Sequence, residues 1–277
     1  MIDQARPLSG TTILITRAKE QSAALRDPLA ALGARVIVTP AIRFEDPPDW
    51  GPADAALSRA SSYHWAIFTS ANGVEAVDRR LALLGLSWGV FRGGRIVAIG
   101  PATAEALERR GLEVGVLPEV FQAEGILEAL EVEPIAGKKI LLARAEKARE
   151  VLPEELRRRA AEVDVVAVYR TVRCAPDPEA LEVLSGAAAG PDVVVTFTSS
   201  STVTNFLATL PHGARAGLAR CVIAAIGPVT ADEILRHGLT PAIQPETFTI
   251  PALVDAIRSH RESRRRQARG SQPLARE

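Results

Sequence analysis

Four short stretches concentrate residue types that grip anions: Thr69-Ser70-Ala71-Asn72-Gly73, Gly100-Pro101-Ala102-Thr103, Thr198-Ser199-Ser200-Ser201 and Gly227-Pro228-Val229-Thr230. Each follows a short β-branched run and precedes a helical pattern, so each falls at a strand end and a helix start. The first N–H groups of a helix have no intrahelical acceptor and lie at the positive end of its dipole, and Ser and Thr hydroxyls add donors. The chemistry implied is capture of a ligand carrying several negative charges. Plain helix capping explains any one of these stretches taken alone; their occurrence as two matching pairs brings ligand contact level with it. Arg17 and Arg144 each stand just past an opening strand. A guanidinium there can hold a carboxylate through two parallel hydrogen bonds, the alternative being a solvated helix-start arginine.

Other chemistries lack their residues. The chain has no Gly-x-x-x-x-Gly-Lys-Ser/Thr phosphate loop, no Gly-x-Gly-x-x-Gly dinucleotide turn and no Gly-x-Ser-x-Gly nucleophile elbow. His64, His212, His237 and His260 are scattered without metal-ligand spacing. Cys174 and Cys221 are too few for a zinc site or a disulfide framework and read as buried structural thiols. No metal site is expected.

The elements that must position these residues emerge when the chain is compared with itself. Gly10–Ala18 matches Gly137–Ala145 at an offset of 127 residues, Trp65–Gly73 matches Val194–Thr202 at 129, and Val97–Ala104 matches Ala224–Ala231 at 127. Gly111 and Gly238, which end the following helices, also lie 127 apart. The expectation is an internal duplication. Strands are predicted at Thr12–Thr16, Ala34–Thr39, up to Phe68, and Ile96–Ile99 in the first copy. Their counterparts are Lys139–Ala143, Val163–Val168, up to Phe197, and Val222–Ile226. Leu25, Leu29 and Leu32 share one face of the first helix, which Pro28 should kink or shorten.

Alternating strands and helices predict an α/β fold: two similar domains, each a parallel sheet with helices on both faces. Ligands of such sheets bind at the carboxyl ends of strands, so the four stretches would line an interdomain cleft. The copies could fold one after the other, or exchange their opening β-α-β units through connectors at 40–44 and 168–172; periodicity leaves both open. Tyr169 marks a break in the duplication, because a phenol stands where the 127-residue offset gives Ile42. It reads either as a half-buried connector aromatic or as a proton or hydrogen-bond donor in the cleft.

With 33 basic and 33 acidic side chains, no global charge points to nucleic acid or a membrane surface. An apolar share of 47% is ordinary for a well-cored globular protein, yet no apolar run is long enough to span a membrane. The N-terminal residues lack the apolar core of a signal peptide, so a cytoplasmic location is expected. Residues 261–277 are rich in arginine without an apolar face and are expected to form a disordered, dispensable basic tail.

The ordered set Ile15-Thr16-Arg17, Phe68–Gly73, Gly100–Thr103, Val168-Tyr169-Arg170-Thr171, Phe197-Thr198-Ser199 and Ile226–Ala231 resembles the uroporphyrinogen-III synthase family over essentially the whole chain. The resemblance implies a cofactor-independent hydro-lyase of haem-type tetrapyrrole biosynthesis, acting as a monomer. Its reaction would close the linear tetrapyrrole hydroxymethylbilane to uroporphyrinogen III, inverting the last pyrrole ring and losing water. It also implies the exchanged arrangement: 1–39 with 173–260 as one domain, 45–167 as the other, 40–44 and 168–172 as connectors. Tyr169 would assist departure of the hydroxyl. Arg17 and the loop residues Thr69, Ser70, Ala71, Asn72, Gly100, Ala102, Thr103, Thr198, Ser199, Ser200, Gly227, Val229 and Thr230 would bind the substrate's eight carboxylates, largely through backbone N–H groups. A two-lobed anion receptor without catalysis and a two-domain glycosyltransferase are the alternatives. The missing export signal and the missing acidic or glycine-rich nucleotide grip weigh against them.

Overall fold

Strands and helices alternate along residues 6–270, the part of the chain that the computed structural model describes. The order opens with β1 (Thr12–Ile15), α1 (Ala23–Ala31), β2 (Arg35–Val38) and β3 (Ile42–Glu45). It continues through α2 (Gly51–Ser58), β4 (Trp65–Phe68), α3 (Ala71–Leu83), β5 (Arg95–Ala98), α4 (Pro101–Glu108), β6 (Val114–Val116) and α5 (Ala123–Ala129). Then come β7 (Lys139–Ala145), α6 (Val151–Arg158), the long β8 (Glu162–Arg173) and α7 (Pro178–Ser185). The last part holds β9 (Val193–Phe197), α8 (Ser200–Thr209), α9 (His212–Leu218), β10 (Val222–Ala225), α10 (Pro228–Arg236) and α11 (Ile250–Gly270). The chain divides into two units, crossing from the first to the second between Arg43 and Phe44 and back between Thr171 and Val172.

The sheets run β10-β9-β1-β2 and β3-β8-β7-β4-β5-β6. Beyond β10, Ile243 forms a parallel bridge with Ala224, where β6 lies beyond β5. Apart from β3, which pairs only with β8, the two orders therefore correspond, and so does the register. Ile13 pairs with Val194 and Val36, and its counterpart Ile140 pairs with Trp65 and Val163. Val194 pairs with Val222 as Trp65 pairs with Arg95. Every one of these pairs keeps the offsets of 127 or 129 seen in the sequence.

Both faces of each sheet are buried, which is why the strands read as continuous apolar runs. In β4, Ala66 and Phe68 join Leu141, Ala143 and Ile96 under α2, α3 and α4. Trp65 and Ile67, one residue out of phase, join Ile140 and Leu142 under α5 and α6. In the other unit Leu14, Val195 and Phe197 pack against α7, α8, α9 and α10, while Ile13, Ile15 and Val194 pack against α1 and α11. Leu25 and Leu29 are fully buried on α1, with Leu32 against the same cluster. Pro28 lies inside α1, which continues only to Ala31. α4 and α10 each begin with a proline at the first helical position, where the missing N–H costs nothing. Gly111 (φ 76°) and Gly238 (φ 75°) follow these helices in the left-handed region.

The C-terminal expectation needs correction. Residues 261–270 continue helix α11 instead of forming a disordered tail. Its buried anchors are Leu253, Val254 and Ile257. Beyond them arginines take over from apolar contacts: Arg261 pairs with Asp192, Arg264 Nη1 donates to Pro191 O at 3.0 Å, and Arg265 donates to Ser9 O. Residues 271–277 of the expected tail lie outside the described residues. The two thiols are free and only half-buried, less enclosed than expected.

Candidate active site

In the continuous unit, β4 ends at Phe68 and Thr69 follows, its N–H and Oγ1 directed to Ala143 O at 3.5 and 3.4 Å. Ser70 then caps α3: its Oγ accepts the Gly73 N–H at 3.0 Å. Capping is thus a real role for Ser70, and Ala71 and Asn72 occupy the first two positions of the helix. Both residues are half-buried. One strand further out, Gly100 caps α4 with an extended backbone (φ −168°), and the exposed Ala102 stands in the first turn. Thr103 is buried, 3% exposed, and its N–H is directed to Gly100 O at 3.0 Å.

Tyr169 comes from β8, opposite Ala145 of β7. Ser70 Oγ lies 3.0 Å from Tyr169 Oη as its donor. Ser70 Oγ thus accepts from Gly73 and donates to the tyrosine oxygen. Phe44 meets the Tyr169 ring edge-on, with centroids 5.6 Å apart at 84°. Burial pushes the phenol above its usual pKa of 10, against a smaller opposite effect of the Ser70 hydrogen bond. The group is therefore neutral at physiological pH and keeps its proton.

Arg144, at the end of β7, is 8% exposed and fully engaged: it pairs with Glu150 and donates to Arg149 O at 2.9 Å. It is a buried strand residue directed to the loop that follows, not the solvated helix-start arginine that the sequence offered as the alternative. Beside it a pocket of about 200 Å³ is lined by Thr69, Ile99, Phe121, Leu142, Arg144 and Arg149, among others.

The discontinuous unit repeats much of this arrangement at its own carboxyl edge. Ser199 caps α8, accepting the Thr202 N–H at 3.2 Å, and Ser200 and Ser201 occupy the first turn as Ala71 and Asn72 do. Thr198 and Ser200 are half-buried. Gly227 (φ −171°) caps α10, Val229 is 71% exposed, and Thr230 is buried at 4%. Thr103 and Thr230 are thus equivalent in burial as well as in position. Arg17 differs from its counterpart Arg144. It is half-buried, its Nε donates to the neutral Gln21 side chain at 3.2 Å, and burial lowers its pKa because its charge is poorly solvated.

Two aromatic residues escape a reading by residue type alone. Phe121 and Phe248 are 55% and 58% exposed, and each lies against the glycine that starts the neighbouring helix, Gly100 or Gly227. The signal that finds them is a further repeat at the same offset, Pro118-Glu119-Val120-Phe121 and Pro245-Glu246-Thr247-Phe248.

Two parallel-stranded sheets with helix starts at their carboxyl edges make this a two-unit α/β protein, a class whose ligands bind at those edges. Comparison with known proteins makes the assignment specific. The family described as Uroporphyrinogen-III synthase HemD matches residues 20–255. A uroporphyrinogen-III synthase of Synechococcus elongatus is 34% identical over 263 residues, 91% of this chain and 96% of that protein. One of Chlorobaculum parvum is 26% identical, over 89% and 97% of the two chains. The crystal structure of a mutant uroporphyrinogen III synthase from Thermus thermophilus superposes with a TM-score of 0.61 at 20% identity, covering 92% of this chain and 99% of that one. A Helicobacter pylori uroporphyrinogen-III synthetase gives 0.58 at 18%, covering 90% and 99%. The chain belongs to the uroporphyrinogen-III synthase family. Among the described residues no helix is long and apolar enough to cross a membrane.

Proposed function

We propose that this chain cyclises hydroxymethylbilane to uroporphyrinogen III as a hydro-lyase that needs neither metal nor organic cofactor, working as a monomer in the cytoplasm. The observation that carries the site assignment is the Ser70–Tyr169 hydrogen bond, which joins the strongest anion-loop candidate to the one phenol at this edge. The first-turn N–H groups of α3, α4, α8 and α10 bind carboxylates of the substrate. Among the described residues Arg17 has no carboxylate hydrogen bond, and its half-buried guanidinium complements a further carboxylate at little desolvation cost.

Loss of the terminal hydroxyl breaks a C–O bond, and the departing oxygen must gain a proton to leave as water. Tyr169 hydrogen-bonds that oxygen and passes it the proton, and the phenolate recovers one when the pyrrole carbon that forms the closing C–C bond loses its hydrogen. Its raised pKa keeps the phenol proton in place before the reaction. The binding loops hold the linear chain near the geometry in which its two ends meet. Isomer analysis of the product tests the activity, since uncatalysed closure gives the symmetrical type I isomer. Exhaustive dialysis of the enzyme against a chelator should leave turnover unchanged; a loss restored by adding a metal would contradict the cofactor-independent reading.

A further inference from the structure

Gly100 and Gly227 have extended backbones (φ −168° and −171°) that any residue adopts, so their glycines are not explained by backbone conformation. A side chain at either position would meet an aromatic ring, in ordinary contact at Gly100 and tightly at Gly227. A Cβ on Gly100 would lie 3.4 Å from Phe121 Cγ, and one on Gly227 would lie 3.0 Å from both Cγ and Cδ1 of Phe248. Each phenylalanine is thus set against a proposed carboxylate-binding helix start, while more than half of it faces solvent: 55% for Phe121 and 58% for Phe248. A single exposed aromatic is ordinary on a protein surface; what sets these two apart is that each lies against the glycine that starts a proposed binding helix. The same arrangement occurs in both units at a constant offset of 127 residues, so it is not an accident of one loop.

We infer that Phe121 and Phe248 are substrate-contacting platforms, each supporting the flat face of a pyrrole whose carboxylates engage the adjacent helix start. This rests on the proposed reaction and adds the apolar half of recognition to it. A porphyrinogen precursor alternates aromatic rings with charged arms. A site of N–H donors alone would hold the arms and leave the rings free to turn. An aromatic face beside each pair of donors restricts that freedom and removes apolar surface from water on both partners. Phe121 also lines the pocket containing Thr69 and Arg149, which extends its contact surface inward.

The test is equilibrium binding of uroporphyrin, the oxidised octacarboxylate product, followed by fluorescence, alongside steady-state kinetics with hydroxymethylbilane. Phe121→Ala and Phe248→Ala should each weaken uroporphyrin binding and raise KM by roughly tenfold, with thermal stability unchanged because the rings are exposed. Phe→Tyr should restore binding and Phe→Leu should restore it only in part, a split that a merely structural role would not produce. Gly227→Ala pushes on the Phe248 ring without removing it and should weaken binding in the same direction. Binding and KM unchanged in both alanine variants would overturn the platform role even if the wild type makes type III product. Weakened binding in those variants would support it even if the wild-type product were type I. Failure of the platform and failure of the proposed reaction are therefore read on separate signals.

Discussion

Tyr169 was legible in the sequence only as a departure from the repeat, a phenol where the offset calls for Ile42. Its hydrogen bond to Ser70 depends on β8 bringing residue 169 beside a loop 99 positions earlier, which no local pattern encodes. Tyr169→Phe removes the hydroxyl and keeps the ring against Phe44, so the fold should survive. If the phenol assists loss of the hydroxyl as a general acid, kcat should fall by about 10²-fold; a loss below about tenfold would reduce it to a positioning residue. The wild-type rate should show no decline attributable to this group as pH rises from 7 towards 10. The same raised pKa links to stability. Below pH 10 the phenol is protonated in both folded and unfolded chains, whereas above it the unfolded chain releases the proton first. Stability should therefore fall as pH climbs past about 10, and less so in the Phe variant, as urea unfolding at pH 9 and pH 11 would show. Ser70→Ala removes both a helix cap and the partner of Tyr169. It should cost about 1 kcal/mol in unfolding free energy as well as activity.

At the scale of elements, apolar runs were sufficient for β1, β2, β4, β5 and β7 to β10, because both faces of each sheet are covered; the three-residue β6 was missed, and β3 was read only as a connector. The matching register of Ile13 with Val194 and of Ile140 with Trp65 supports a duplication as the origin of the two sheets. What periodicity left open was the partner of the opening β-α-β unit. Hydrophobic runs say that a strand is buried, not which strand lies beside it, and β1 is found between β2 and β9. Side-chain pairs between helices were equally invisible. Arg80 of α3 holds Asp54 of α2 through two hydrogen bonds while its guanidinium lies 4.8 Å from the centre of the Trp50 ring. The Arg80 contact holds the Asp54 carboxyl below its ordinary range, so this contribution is present at neutral pH. It is lost as pH falls below the usual carboxylate values, because the unfolded chain takes up the proton first. Asp54→Asn should lower stability at pH 7 by about 1 kcal/mol and leave stability at pH 3 closer to wild type. Equal losses at both pH values would contradict the ion-pair account.

For the whole molecule, composition described the C-terminal arginines but not their partners, since Asp192, Pro191 O and Ser9 O come from distant stretches of chain. Truncation after Ile257 should therefore lower the midpoint of thermal unfolding, by the equivalent of about 1 kcal/mol, while kcat at moderate temperature stays near wild type. An unchanged midpoint would mean that the second half of α11 contributes nothing. The central claim, that two anion-binding edges and a protected phenol direct closure of a tetrapyrrole with inversion of its last ring, has one direct measurement. Hydroxymethylbilane generated in place is incubated with the purified chain, the porphyrinogens are oxidised, and the isomers are separated by chromatography. The account predicts predominantly uroporphyrin III, with the type I isomer in the enzyme-free control. Type I alone from well-folded protein would contradict it.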